Sequence, residues 1–179
     1  MEDRFAAIAE WHDFFAAVAG VAATLVGLLF VALALNPAVM ADDGPAGLRT
    51  WAGQTFHSFL MVLVFALVIL IPDTGPLGLG LPLLILGAWG VARVVIDARQ
   101  VRSDPDPEWH GRSVLTRFAS PLAAYVITVW VGAQTLQGDA DAVGWLVATV
   151  FFLMMSAASN CWDLLRDIGD HHRSGVPDQ

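Results

Sequence analysis

The residues of this chain that could do chemistry are the few polar ones set inside long apolar runs. Ser156, Asn160, Asp163 and Asp167 follow one another at steps of four, three and four at the end of the last run. On a helix that spacing puts all four on one face. His57 lies near the start of the second run, beside Ser58 and close to Gln54 and Thr55. Arg93 and Asp97 close the third run, four residues apart, a separation at which two side chains pair along one helix. An ionised side chain at the centre of a membrane helix costs on the order of 2.5–3.5 kcal/mol, less toward the interface. Such residues face the bundle interior and find partners. Arg93 has Asp97 on its own helix and Asp163 at a similar depth across helices. His57 could join them as donor, acceptor or proton carrier, because imidazole titrates near neutrality.

Three readings of this cluster stay open on sequence. Arg93, Asp97 and Arg117 could extend to the headgroups along their own stems. The group could be structural and fix helix register. Or it could be a site for a ligand, an ion or a proton, opening at one membrane face. Asn160 argues against the first, since a short amide that deep cannot reach the headgroups.

Other chemistry is weaker. Asp104, Asp106, Glu108 and His110 offer oxygen and nitrogen ligands, but alternating prolines make that loop extended and solvated, and no resident metal is expected. The same holds for His171-His172. An intramembrane hydrolase would want His57 beside Ser58 or Ser156, yet neighbours in sequence point apart on a helix. No phosphate loop, zinc motif, nucleophile elbow or cysteine pair is present, so no catalytic residue and no cofactor is assigned. Cys161, the single cysteine, excludes an internal disulfide and reads as a small helix residue.

The elements that must position these residues are membrane helices. Of the 179 residues 56% are apolar and 15% charged, where a soluble domain is nearer a quarter charged. Five apolar runs of roughly 19–24 residues each suffice to cross a hydrocarbon core of about 30 Å. The expected fold is all-α, one polytopic bundle over residues 1–167 with helices at about 12–36, 48–71, 77–97, 117–136 and 143–166, and a polar, mobile tail over 168–179. Asn36-Pro37 ends the first helix, since proline disfavours helix at the residue before it. Pro72-Asp73-Thr74-Gly75-Pro76 makes a tight turn. A signal-peptide reading of the first run is disfavoured by its net acidic start and its length of about 22 residues. A net charge of −8 argues against nucleic acid as a partner. No repeat divides the chain into equivalent halves, which weakens an inverted-repeat transporter.

Charge gives the orientation. With five crossings, one side holds Arg4 alone. The other collects Arg49, Arg99, Arg102, Arg112, Arg117, Arg166 and Arg173, and every basic residue is arginine. The positive-inside rule places the N-terminus outside and the C-terminus in the cytoplasm. His57, Arg93, Asp97, Ser156, Asn160 and Asp163 then share the inner third of the membrane, with Ser120 and Tyr125. The first helix also carries two small-residue rows, Ala16-Gly20-Thr24 and Ala19-Ala23-Gly27. Steps of four between small residues let helix backbones approach closely. Packing within the chain, a subunit contact and a pore lining are the three uses such rows predict.

The stretch from Trp11 through Phe14-Phe15 to Gly27-Leu28-Leu29-Phe30-Val31-Ala32-Leu33 and Asn36 resembles the opening of a group of small uncharacterised polytopic bacterial inner-membrane proteins. Ser159-Asn160-Cys161-Trp162-Asp163-Leu164-Leu165 resembles their closing helix. The resemblance implies a multi-pass protein of the bacterial inner membrane and brings no activity with it. The functional expectation is a homo-oligomeric ion channel or conductance module with a polar, cytoplasm-facing vestibule. An accessory subunit binding another membrane protein through the first helix is the alternative, ahead of a membrane enzyme at the cytoplasmic face.

Overall fold

A computed structural model of the chain describes residues 11–35, 46–72, 75–103 and 112–174, with side-chain surroundings for 11–35, 52–72, 75–99 and 118–162. These residues are helical apart from short turns. The elements are α1 (His12–Leu35), α2 (Ala46–Ile69), α3 (Pro76–Ser103), α4 (Arg112–Leu136), a short 3-10 turn (Asp141–Trp145) and α5 (Leu146–Ser174). Five helices are long and apolar enough to cross a membrane, over His12–Leu35, Ala52–Ile69, Pro76–Arg99, Phe118–Leu136 and Asp141–Trp162. Lipid offers no hydrogen-bond partner, so a spanning segment must satisfy its backbone internally, and helices do so.

Hydropathy places the spans well and the helix ends less well. α3 runs on to Ser103, α4 already begins at Arg112, and α5 continues through the expected tail to Ser174. Asp167 to Ser174 is polar, which ends a membrane span. It contains no proline, however, and the helix runs on through Gly169. Asn36-Pro37, Asp42 to Pro45, Asp104 to His110 and residues 175–179 lie outside the described residues.

The packing order differs from the chain order. α1 packs on α2, α2 on α5, α5 on α4, and α4 on α3, while α2 and α3 touch only sparsely although a short turn joins them. α1 and α3 are therefore the flanks, and α2, α5 and α4 the middle. Only 17% of the α1 span is buried, against 56% of the α2 span. The middle is closed by Val62, Phe65, Leu83, Val131, Leu146 and Leu153, all nearly inaccessible. Thr128 and Thr149 cross between α4 and α5 inside this core, 3.3 Å apart, and both hydroxyls donate to the Ala124 carbonyl, at 2.9 and 3.3 Å. Replacing Thr149 with Val is expected to lower stability by about 0.5–1 kcal/mol, the scale of an interhelical hydrogen bond in lipid; SDS-titrated unfolding measures it, and an unchanged midpoint would show that the Thr128–Ala124 bond alone suffices.

Glycines decide the tightest contact. A Cβ on Gly132 of α4 would stand 2.7 Å from the Leu84 backbone nitrogen, and one on Gly80 of α3 would stand 2.9 Å from the Gly132 carbonyl oxygen. One on Gly87 would reach 2.9 Å from the Val129 nitrogen. These pairings run in opposite directions along the two helices, so α3 and α4 are antiparallel with backbones nearly touching. The α1 rows do something different. Ala16, Gly20, Ala23, Thr24 and Gly27 are all exposed, and a Cβ on Gly20 or Gly27 would meet nothing within 4 Å. Of the two small-residue rows only Ala19 is buried, together with Phe15, Ala22 and Leu29, on the side of α1 that packs against α2. At about 100° per residue the small row sits roughly a third of a turn round from that buried face.

Candidate functional site

Polar side chains of α2, α4 and α5 share one end of the bundle. The register shows it. Phe59 of α2 packs with Ala157 of α5, and Ser120 of α4 donates to the Phe152 carbonyl of α5 at 3.0 Å. His57 and Asn160 therefore belong to the same end, one two residues and the other three from that Phe59–Ala157 contact. Ser156 is buried on the same inward stripe of α5.

Arg93 and Asp97 pair along α3 as their spacing requires, at 3.9 Å, a long contact with half of the arginine side chain exposed. The Asp163 and Asp167 side chains lie outside the described residues, so the expected Arg93–Asp163 pair does too.

Tyr125 is the residue whose importance the sequence hides. Its ring is 1% exposed. It lies 6.5 Å from the His57 ring and 6.4 Å from Phe65, both on α2. On its other side it rests on Gly90 of α3, where any Cβ would collide with the ring. Tyr125 is thus a wedge, fixed to α4 and filling the space where α2 and α3 part. The one hint in sequence is Gly90 itself, three residues after Gly87. A glycine there leaves room for a close neighbour, but only the α3–α4 register makes that neighbour a tyrosine ring.

Three buried side-chain atoms in this region have no hydrogen-bond partner: His57 Nε2, Tyr125 Oη and Asn160 Nδ2. Several other hydroxyls of the bundle find backbone acceptors. Ser58 donates to the Gln54 carbonyl at 3.0 Å, Thr135 to Val131 at 2.8 Å and Thr24 to Gly20 at 2.8 Å. A polar group left bare in an apolar interior costs on the order of 1–3 kcal/mol. Ser58 directs its hydroxyl to the Gln54 carbonyl of its own helix rather than to His57. Among the described residues no three His, Cys, Asp or Glu side chains come together to hold a metal.

No family model, curated protein or solved structure matches this chain. The site has to be read from its own geometry. That geometry offers hydrogen bonding and charge at one end of a closed apolar bundle, and it offers no continuous polar path through a single chain among the described residues.

The opposite end carries interfacial aromatics. Trp130 and Trp145 meet edge to face at 6.1 Å, both about half exposed, and Trp11 lies beside Gly144. Tryptophan is enriched where membrane meets water. His12 and Asp13 contact each other here at 3.4 Å, a full span away from His57, so they are no part of the polar cluster.

Proposed function

We propose that this chain is one subunit of a homo-oligomeric conductance module of the bacterial inner membrane, assembled through α1. Its N-terminus is outside, its C-terminus cytoplasmic, and its polar end forms the vestibule on the cytoplasmic side. The observation that supports this is the exposed flank of α1. Ala16, Gly20, Ala23, Thr24 and Gly27 form a row narrow enough for a second helix to approach, and among the described residues it is exposed. Because the core of one chain is closed, the pathway in this reading runs between subunits, where a dry constriction gates by dewetting. The arginine distribution supports the orientation.

Mass of the nanodisc-embedded protein, followed by ion flux in liposomes from the same preparation, tests the proposal. A ring of four or more subunits that passes ions is expected. A monomer that passes nothing would overturn the conductance reading and leave the α1 flank as a contact for another membrane protein. Within a conducting ring, Asn160→Ala and Asp163→Asn are expected to lower flux several-fold while leaving subunit mass unchanged. Flux equal to wild type in both would reduce the polar end to a structural role.

A further inference from the structure

Assembly through α1 into a ring needs two different surfaces. Head-to-tail contacts close rings, whereas a patch that binds its own copy makes a dimer. α5 offers a second surface. Its exposed face is a groove whose lining includes Asp141, Gly144, Trp145, Ala148, Phe151 and Phe152. Trp145 and Phe152, seven residues apart, stand along one edge. Gly144 and Phe151, also seven apart, stand along the other, and Ala148 lies on the floor between them. Trp145, Phe151 and Phe152 expose 58%, 68% and 40% of their surface. The first edge is braced from α4: Trp130 meets the Trp145 ring at 6.1 Å, and Ser120 donates to the Phe152 carbonyl at 3.0 Å. A wall held in place before its partner arrives has less freedom to lose on binding.

Depth selects what fits this groove. Within one chain Trp11 borders Gly144 and Leu29 packs with Ala157, so α1 and α5 run in the same direction and these residues are level. Subunits of a ring whose axis is the membrane normal all sit at one depth. The α1 of a neighbour therefore passes α5 in the same register as the chain's own α1. Ala16 falls level with Ala148, Gly20 with Phe151, and Ala23 just below Phe152. Their small side chains let the α1 backbone sink between the two aromatic edges. The outer ends are complementary as well. Helical side chains lean toward the N-terminus of their helix, which carries His12 of the neighbour toward Asp141. His12 Nδ1 contacts Asp13 at 3.4 Å, and Nε2 remains to take a second carboxylate, since a protonated imidazole donates from both nitrogens. Asp139, another carboxylate at that end, already accepts from the Asp141 backbone N–H at 3.1 Å.

We propose, on the basis of the assembly inferred above, that the α5 groove receives the α1 of the next subunit with its small row inward, one contact repeated head to tail around the ring. Cysteine crosslinking tests it, in the full-length protein with Cys161→Ser as background, oxidised in membranes with copper phenanthroline. A disulfide needs Cβ atoms about 3.5–4.5 Å apart, so it reports register. Ala148→Cys combined with Ala16→Cys or with Gly20→Cys should give a ladder of linked species. The same two substitutions placed on separate, coexpressed chains should give a linked dimer. Ala148→Cys with Gly27→Cys, about 10 Å lower than Gly20, should give neither. Ala148→Leu, which fills the floor of the groove, should reduce the nanodisc mass to one subunit. A linked dimer from Gly20→Cys alone would mean that α1 binds α1, and would overturn the groove as its partner. So would a ring that forms no ladder and keeps its mass in Ala148→Leu, which would leave the groove to lipid chains. The assembly reading survives both of those outcomes, because wild-type mass and flux judge it; a wild-type monomer would end both.

Discussion

Gly132→Ala should cost the protein about 2–3 kcal/mol, the scale of overpacking in a close-packed interior. The added methyl would stand 2.7 Å from the Leu84 nitrogen and 3.0 Å from the Gly80 carbonyl oxygen. Both neighbours are backbone, so no rotamer change relieves the clash. The two helices must move apart, and with them the contact of Gly90 with Tyr125 must loosen. For a chain of this size the loss corresponds to a melting point lower by roughly 5–10 °C. Gly27→Ala is the matched control. It adds the same methyl to a membrane helix and meets nothing within 4 Å. Its stability should stay within about 0.5 kcal/mol of wild type, as for a surface change away from special features. Thermal unfolding of both proteins in one detergent decides the matter: equal melting points would mean that α3 and α4 are not held backbone to backbone.

Gly20→Leu combined with Gly27→Leu should abolish assembly while sparing the subunit. Two leucines on the α1 flank would keep a second helix from the close approach that small residues permit. The folded chain has open space at both positions, so its own melting should not change beyond about 0.5 kcal/mol. The expected result is a nanodisc mass that falls to one subunit, together with ion flux at the level of empty liposomes. Unaltered mass would remove α1 from the interface, and with it the support for a pathway between subunits. The contrast with Gly132 matters because both sites are glycines in apolar helices, and only their neighbours differ.

That contrast also shows what was legible in the sequence. The five spans and the shared depth of His57, Arg93, Asp97 and Asn160 follow from hydropathy and helical spacing, both local properties. So does the Arg93–Asp97 pair, which lies within one helix. The use of the glycines was not legible. Gly20 and Gly27 of α1 are seven residues apart, and so are Gly80 and Gly87 of α3. The two rows look alike along the chain, yet a Cβ on one would meet Gly132, Val129 and Leu136 while a Cβ on the other would meet nothing within 4 Å. Only the pairing of helices distinguishes them, and no local pattern encodes that pairing. Tyr125 was hidden for the same reason. In sequence it is one polar residue near a helix start, and its role depends on Gly90 in one neighbour and His57 in another. The ends of α3 and α5 escaped because hydropathy reports where a membrane stops, whereas a helix stops where its backbone bonding fails.

The length of α1 carries a mechanical consequence. From Phe14 to Leu35 it holds no charged residue, an apolar run of about 33 Å at 1.5 Å per residue. A hydrocarbon slab of about 30 Å is shorter than that. The run matches the slab when α1 inclines by roughly 25°, inside the range that membrane helices adopt. A thinner bilayer would increase that inclination and a thicker one reduce it. α1 is also the helix that bears the exposed small-residue flank, so bilayer thickness becomes a variable that sets the angle at which that flank is presented to a neighbour.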